Sequence, residues 1–249
     1  MSEEQQEEKK PSGWNTFKKW IPLIVIVIVA FTAYFLGLHK YLTFDNLKRY
    51  HDTLTSYAKD YPVLSVVVYM GVYFLGTVFI LPEMAILTLL GGMLFPFPLS
   101  VVYTVFPATI GACLIFFVAE TAVGKYIAQK ASGLLKKMQK GFQRDATNYL
   151  LFLRLVPLFP FWLVNVAPAI FNVRLWTYTW TTFVGIIPGT AVFCYVGHSL
   201  NSIFENNETF SIEAVLSSKV VIALIALGAI IIVPVLIKYI KNRKKKDDD

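Results

Sequence analysis

Two apolar stretches, residues 80–95 and 153–171, each set one ionisable side chain, Glu83 or Arg154, close to proline among otherwise uncharged neighbours. A charge at bilayer depth is costly, and a proline frees a backbone carbonyl. Such segments persist only where they line a cavity or pack inside protein. The chain is therefore constrained toward broken helices within a membrane, and transport is the leading functional class.

Composition agrees: 56% of the residues are hydrophobic and only 16% charged, with a net charge of +7, which is not the balance of a soluble domain. No Asp, Glu, Lys or Arg falls between Asp60 and Glu83, between Glu83 and Glu120, between Arg154 and Arg174, or between Lys219 and Lys238. Windows of that length read as membrane-embedded. The two cysteines, Cys113 and Cys194, stand in apolar spans far from any CxxC or Cys/His cluster, so they read as small core residues.

Residues 1–19 form a polar tail with mixed charge and no apolar period, expected to be disordered. The apolar run 21–38 follows Lys18 and Lys19 without a clean small-residue cleavage site, and reads as a retained anchor helix. Thr43 is placed to cap an amphipathic helix whose Phe44, Leu47, Leu54, Ala58 and Tyr61 recur at helical spacing, opposite Asp45, Lys48, Arg49 and Asp52. It is expected on the membrane surface.

The region 63–97 is interrupted by Gly71, Gly76, Pro82-Glu83, Gly91-Gly92 and the Pro96–Pro98 segment, which argues against one straight helix. It reads as a hairpin entering and leaving by one face, followed by a full span over about 99–123. Residues 125–144 then carry an apolar stripe through Ile127, Ala131, Leu134, Leu135, Met138 and Phe142, beside Lys125, Lys130, Lys136, Lys137, Lys140 and Arg144. That pattern predicts a basic interfacial helix facing anionic headgroups. A second hairpin over 148–170 holds Pro157, Pro160 and Pro168, and a long span over about 172–200 follows. The last span, 220–237, runs into a tail rich in Lys and Arg, a second site for anionic headgroups.

The fold expected is thus an all-α polytopic membrane protein: an inverted repeat with two re-entrant helical hairpins, about four full transmembrane spans and amphipathic interfacial helices. Its parts are the tail 1–19, the anchor and amphipathic helix 20–60, a core 61–200, an outer loop 201–218, and the last span with its basic tail 219–249. Basic clusters stay cytoplasmic, which puts both termini and the 125–144 helix inside and the acidic loop with Glu205, Glu208 and Glu213 outside. Under that topology the two hairpins enter from opposite faces, the usual build of secondary transporters with a midplane site. Chain length and short tails suggest a bacterial cytoplasmic membrane.

The pattern Arg154-Leu-Val-Pro157-Leu-Phe-Pro160-Phe-Trp-Leu-Val-Asn165, then Phe171 and Gly185-Ile-Ile-Pro188-Gly189, resembles the DedA-like, VTT-domain (SNARE-associated Golgi protein) superfamily and its Tvp-like branch. Pro82-Glu83 through Gly91-Gly92-Met-Leu-Phe95 is similar to the same family, so the resemblance covers roughly 61–200. Glu120 departs from it, standing where the Tvp-like branch has Arg, and Pro168 stands where Gly is usual. The resemblance implies two facing re-entrant loops and movement of lipids between leaflets, with bacterial members linked to the proton-motive force and to polyprenyl-phosphate or phospholipid transport.

Four side chains are candidates for contact with substrate or proton. Glu83 could exchange a proton during transport, or could cap the second helix of its hairpin. Arg154 has the fork geometry to hold a lipid phosphate or to pair with Glu83, and could equally be a structural or snorkelling residue. Glu120 lies near the cytoplasmic end of its span, where interfacial exposure competes with proton relay. Asn165 reads mainly as a group that satisfies freed backbone. Pro82, Gly91, Gly92, Pro157, Pro160, Pro188 and Gly189 are expected to shape the hairpins and permit close helix approach. Arg174 and His198 read as headgroup-level anchors, and Trp162, Trp176, Tyr178 and Trp180 as belt and packing residues.

No Gly-rich phosphate loop, Ser/His/Asp order, metal-spaced His or Cys, or carboxylate pair stands in the sequence, so no enzymatic role, cofactor or metal is expected. The basic clusters flank membrane spans, which makes lipid their partner and not nucleic acid. Three functions follow in order: a phospholipid or polyprenyl-phosphate translocase or scramblase, a small-ion or solute carrier, and a non-transporting membrane scaffold.

Overall fold

The computed structural model describes residues 21, 24–28, 31–32, 35, 37, 43–81, 84–122, 133–155 and 160–205, and every element among them is helical. The final span and both tails lie outside the described residues, and of the anchor only scattered helical residues are described.

Thr43 caps the first helix, α1 (Phe44–Arg49), its hydroxyl accepting from the Asn46 N–H at 3.4 Å. The single amphipathic helix expected here is instead two, because Tyr50 (φ −99°, ψ 5°) breaks it before α2 (His51–Asp60). Leu47 is buried against Met93 and Leu200, while Tyr61 lies beyond the helix and is exposed.

α3 (Pro62–Val78) begins on a proline whose fixed φ suits a first helical turn, and it runs unbroken through Gly71 and Gly76. It stops at Ile80, which holds φ 56° so that the Leu81 N–H reaches the Gly76 carbonyl at 2.9 Å. α4 (Met84–Leu94) then folds back along α3, with Tyr73 Oη 3.0 Å from Thr88 Oγ1 and Tyr69 Oη donating to the Leu87 carbonyl at 3.2 Å. Contrary to the expected break at Gly91-Gly92, α4 passes through both glycines. A Cβ on Gly92 would overlap the Cys194 carbonyl, and one on Gly91 the Tyr69 ring. The pair is there for close packing between helices, as small residues are in membranes.

α5 (Leu99–Ala122) and α8 (Leu175–Glu205) are the two described helices long and apolar enough to cross a bilayer, and α3, α4 and α7 (Phe161–Ile170) are shorter apolar helices. α8 continues past the expected end at Leu200, and carries Pro188 inside it. Between α5 and α7 comes α6 (Gly133–Leu155), bent at Asp145, whose carboxylate accepts from the Asn148 N–H at 3.1 Å and starts the helix afresh. Met138 and Phe142, foreseen as part of a stripe facing lipid, are buried in the protein's main core, with Lys140 and Arg144 outside. α7 folds back on α6, with Phe171 near Phe142 at one end and Asn165 bonded to Arg154 at the other.

Two helical hairpins result, α3–α4 and α6–α7, each followed by a long helix. Ala112 lies beside Tyr178 and Thr104 beside Cys194, so α5 and α8 run antiparallel. Packing between the halves is reciprocal: α3 lies on its own long helix α5 and α4 on α8, while α6 lies on its own α8 and α7 on α5. The outer face of α3 shows Val63, Leu64, Val67, Val68, Val72 and Leu75, and that of α5 shows Val102, Phe106, Ile110, Leu114 and Phe117, all exposed and without a charge among them. Faces this large and apolar belong in lipid.

Candidate functional site

Arg154 sits in the last turn of α6, where a cation is favoured by the helix C-terminus. Its Nη2 donates to three neutral oxygens: Asn165 Oδ1 on α7 at 2.7 Å, and Tyr178 Oη and Thr182 Oγ1 on α8, both at 2.9 Å. Tyr178 and Thr182 stand four residues apart and so share one face of α8. The Asn165 amide is oriented by its own Nδ2, which donates to the Phe161 carbonyl at 3.0 Å. Tyr178 Oη donates to Asn165 Oδ1 at 2.7 Å and reaches the Ala112 carbonyl of α5 at 3.3 Å. Its ring packs on Phe116 at 4.6 Å and under the guanidinium at 5.4 Å.

The guanidinium stem rests on Gly185, where a Cβ would come 2.8 Å from the Arg154 Cβ. Asn165 and Tyr178 are fully buried, and Thr182 nearly so. Arg154 Nε is itself buried, and among the described residues it finds no acceptor and no carboxylate forms a salt bridge with Arg154. Among the described residues the site thus holds one positive charge, steered by dipoles, with one N–H that none of them accepts. A half-buried guanidinium with a free donor gains from an anion at hand. Its chemistry suits a phosphate or carboxylate oxygen.

The other expected site residues fall elsewhere. Glu83, Pro82 and Pro157 lie outside the described residues. Glu120 is exposed in the last turn of α5. Pro160 is exposed and caps α7, its carbonyl accepting from Leu163 at 3.0 Å. Pro188 and Gly189 stand inside α8, and a Cβ at Gly189 would meet nothing within 4 Å. Of the four candidates the structure brings Arg154 and Asn165 together.

Tyr178 and Thr182 were not foreseen in this role; Tyr178, read as a belt or packing residue, is wholly enclosed and packs on Phe116. The signal was present in the helical stripe Tyr178, Thr182, Gly185, which lines up small and polar groups on one face of an otherwise apolar helix. Also unforeseen is His51, buried between α2 and α8 with Nε2 2.7 Å from Asn201 Oδ1. Among the described residues no group of His, Cys, Asp and Glu is placed to hold a metal ion.

Fold and site define an all-α integral membrane protein in which two helical hairpins embrace an antiparallel pair of long helices and shelter a cation. A family model, the VTT domain, matches residues 81–199. Transmembrane protein 41B of Xenopus tropicalis is 30% identical over 207 residues, covering 81% of this chain and 71% of that protein. The mouse Transmembrane protein 41B is 29% identical over 190 residues, covering 75% of this chain and 65% of its own length, just under two thirds. A Transmembrane protein 41 homolog of Caenorhabditis elegans is 29% identical over 136 residues, covering 53% of this chain and 55% of the relative. No solved structure matches. The chain belongs to the VTT-domain family.

Proposed function

We propose that this protein moves phosphate-bearing lipids, phospholipid or polyprenyl phosphate, between the leaflets of its membrane. The observation that carries the reading is Arg154: a guanidinium inside a membrane protein, with neutral partners on one nitrogen and a buried N–H that none of the described residues accepts. A lipid phosphate is the anion a bilayer supplies in abundance, and Arg is the side chain whose geometry fits it.

Architecture supports the same reading. The antiparallel long helices and the exchange of hairpin arms between halves are what two inverted copies would produce, with the hairpins as re-entrant elements meeting near midplane. In this proposal four spans cross the bilayer and both termini are cytoplasmic, as the basic clusters require. A bacterial cytoplasmic membrane draws no support from relatives that come from animals, so the proposal is confined to an integral membrane location.

The test is reconstitution of the full chain in phosphatidylcholine vesicles with fluorescent phosphatidylserine, followed across leaflets with and without a pH gradient. Arg154→Ala should abolish translocation while the protein stays folded. Glu83→Gln should abolish only a gradient-driven component. Translocation indifferent to Arg154 would remove the lipid-phosphate reading, and saturable uptake of a water-soluble compound in its place would make the protein a solute carrier.

A further inference from the structure

The core of the second half fixes which charged residues share one end of the molecule. Ala119 near the end of α5, Met138 and Phe142 on α6, Ala169 at the end of α7 and Val173 just before α8 belong to one buried cluster. Phe142 and Phe171 bring their rings to 5.9 Å. Lys140, Arg144 and Arg174 are the exposed neighbours of these buried residues, so they stand together at that end. Trp176, two residues beyond Arg174, is 76% exposed.

The break at Asp145 is what turns the cations outward. In a straight helix Gly141 and Tyr149 would be separated by about 12 Å along the axis. Here a Cβ on Gly141 would come 2.7 Å from the Tyr149 ring, so the segment before Asp145 folds back on the hairpin arm that follows it. Met138 and Phe142 are thereby buried, and Lys140 and Arg144 are left on the outside.

The two ends of the molecule differ in charge. Between residues 121 and 144 the sequence has six cations and no acid. Among the described residues the acids at this end are Glu120, exposed in the last turn of α5, and Asp145, whose carboxylate accepts from the Asn148 N–H. At the far end Leu47 of α1 meets Met93 and Leu200, and there α1 and α2 set Lys48, Arg49 and Lys59 against Asp45, Asp52 and Asp60. Leu175 and Leu200 of α8 lie roughly 38 Å apart along the helix, more than a hydrocarbon core of about 30 Å. The ends thus reach opposite interfaces, one basic and one balanced.

We propose that Lys140, Arg144 and Arg174 form a binding surface for anionic phospholipid headgroups of the leaflet at the basic end. Position and charge both argue for lipid as the occupant. The cations stand at the end of apolar helices, an exposed tryptophan beside them suits headgroup depth, and Lys and Arg there gain from an anionic leaflet what a neutral one does not give. The surface is distinct from Arg154, which is bonded to the opposite end of α7. Only its effect on transport rests on the lipid-phosphate reading: anionic lipid gathered beside the protein raises the supply to Arg154.

The test uses the full chain in phosphatidylcholine vesicles with a trace of spin-labelled phosphatidylserine or phosphatidylcholine. Electron spin resonance of the lipid immobilised at the protein surface gives the preference of one over the other. The unaltered protein should favour phosphatidylserine about fivefold in low salt, the factor that one cation contributes near an anionic headgroup. Most of that preference should vanish in about 0.5 M salt through screening. Lys140→Gln, Arg144→Gln and Arg174→Gln should each reduce it, and the triple variant should show none. Lys48→Gln with Lys59→Gln, at the balanced end, should leave it intact.

A preference that is absent in the unaltered protein, survives salt, or persists in the triple variant overturns the surface; the first of these would give the basic end to an acidic protein partner. The salt series needs no substitution and decides the matter even where the triple variant fails to fold. In the translocation assay the triple variant should need about fivefold more phosphatidylserine for half-maximal rate. If translocation ignores Arg154 while the lipid preference follows the three cations, the lipid-phosphate reading falls and the surface stands. If translocation requires Arg154 and the preference ignores the cations, only the surface falls.

Discussion

The Cβ of Arg154 stands where a side chain on Gly185 would have to go, 2.8 Å from the position of a Cβ built there. α6 and α8 approach this closely because residue 185 has no side chain, and the approach sets the depth at which the guanidinium meets Asn165 and Thr182. Gly185→Ala should therefore push the stem of Arg154 away and cost about 1–3 kcal/mol, the range for an added methyl in a filled space. Translocation should drop toward the level of Arg154→Ala. Gly189→Ala, one turn along with nothing within 4 Å, serves as the control and should keep full rate. Equal effects of the two variants on rate would show that the Gly185 contact does not place Arg154.

A second set of glycines separates structural need from helix propensity. Gly92 meets the Cys194 carbonyl and Gly197 the Leu89 carbonyl, so the backbones of α4 and α8 touch at two points. Backbone cannot swing aside as a side chain can. Gly92→Ala and Gly197→Ala should each lower the melting temperature in detergent sharply, at the upper end of the roughly 1–3 kcal/mol seen for overpacking. Gly71, in the interior of α3 with nothing within 4 Å, should behave the opposite way, and Gly71→Ala should stabilise by about 0.5–1 kcal/mol through helix propensity alone.

Much of this arrangement is legible in the sequence because membranes simplify the problem. Charge-free windows bounded by Glu83, Glu120, Arg154 and Arg174 mark the apolar helices, and Pro160 marks the start of the second hairpin's returning helix, whereas Pro107, Pro168 and Pro188 stand inside helices. Arg154 and Asn165 each stand out as an isolated polar group in a long apolar run, but the sequence offers Arg154 a lipid phosphate or Glu83 and Asn165 the freed backbone, and only the fold joins the two. Tyr178 and Thr182 share a helical face that the sequence shows, but Tyr and Thr occur on membrane helices for many reasons, and only the third dimension shows that this face meets Arg154 of α6. Gly91-Gly92 misled for a related reason: glycine breaks a helix in water but permits contact between helices in lipid, and sequence alone does not say which. The buried Met138 and Phe142 show the same limit, since an apolar stripe looks alike whether protein or lipid covers it.

Ile80 offers a test of the first hairpin's turn. It holds φ 56° at the end of α3, a conformation in which a β-branched side chain is strained by about 1–2 kcal/mol. Asn172 holds the same φ at the end of α7, where its side chain tolerates it. Ile80→Asn should therefore raise the melting temperature in detergent, and Ile80→Gly should raise it less, because glycine has more chain entropy to lose. A loss of stability in both variants would mean that packing of the half-buried isoleucine side chain outweighs the strain.

Ser100 and Thr104, on one face of α5, should respond oppositely to loss of their hydroxyls. Thr104 Oγ1 donates to the Ser100 carbonyl at 2.8 Å and lies 2.7 Å from Tyr69 Oη, so its own proton is spent and the one proton of Tyr69 is shared between Thr104 Oγ1 and the Leu87 carbonyl. Replacing it with Val leaves the buried Tyr69 hydroxyl with only the longer contact to Leu87, and should cost about 1–2 kcal/mol, the range for weakening one partner of a buried pair. Ser100 Oγ is fully buried and among the described residues has only the weak Cys194 thiol as a partner, so its burial is poorly compensated. Ser100→Ala removes that cost with almost no change in volume, and should leave the melting temperature unchanged or higher. The double variant should equal the sum of the two single effects if the hydroxyls act independently. A Ser100→Ala protein that melts as low as Thr104→Val would instead show that the serine hydroxyl has an acceptor in solution, and that the polar ladder between α3, α4, α5 and α8 is longer than the contacts of Tyr69, Tyr73, Thr88 and Thr104.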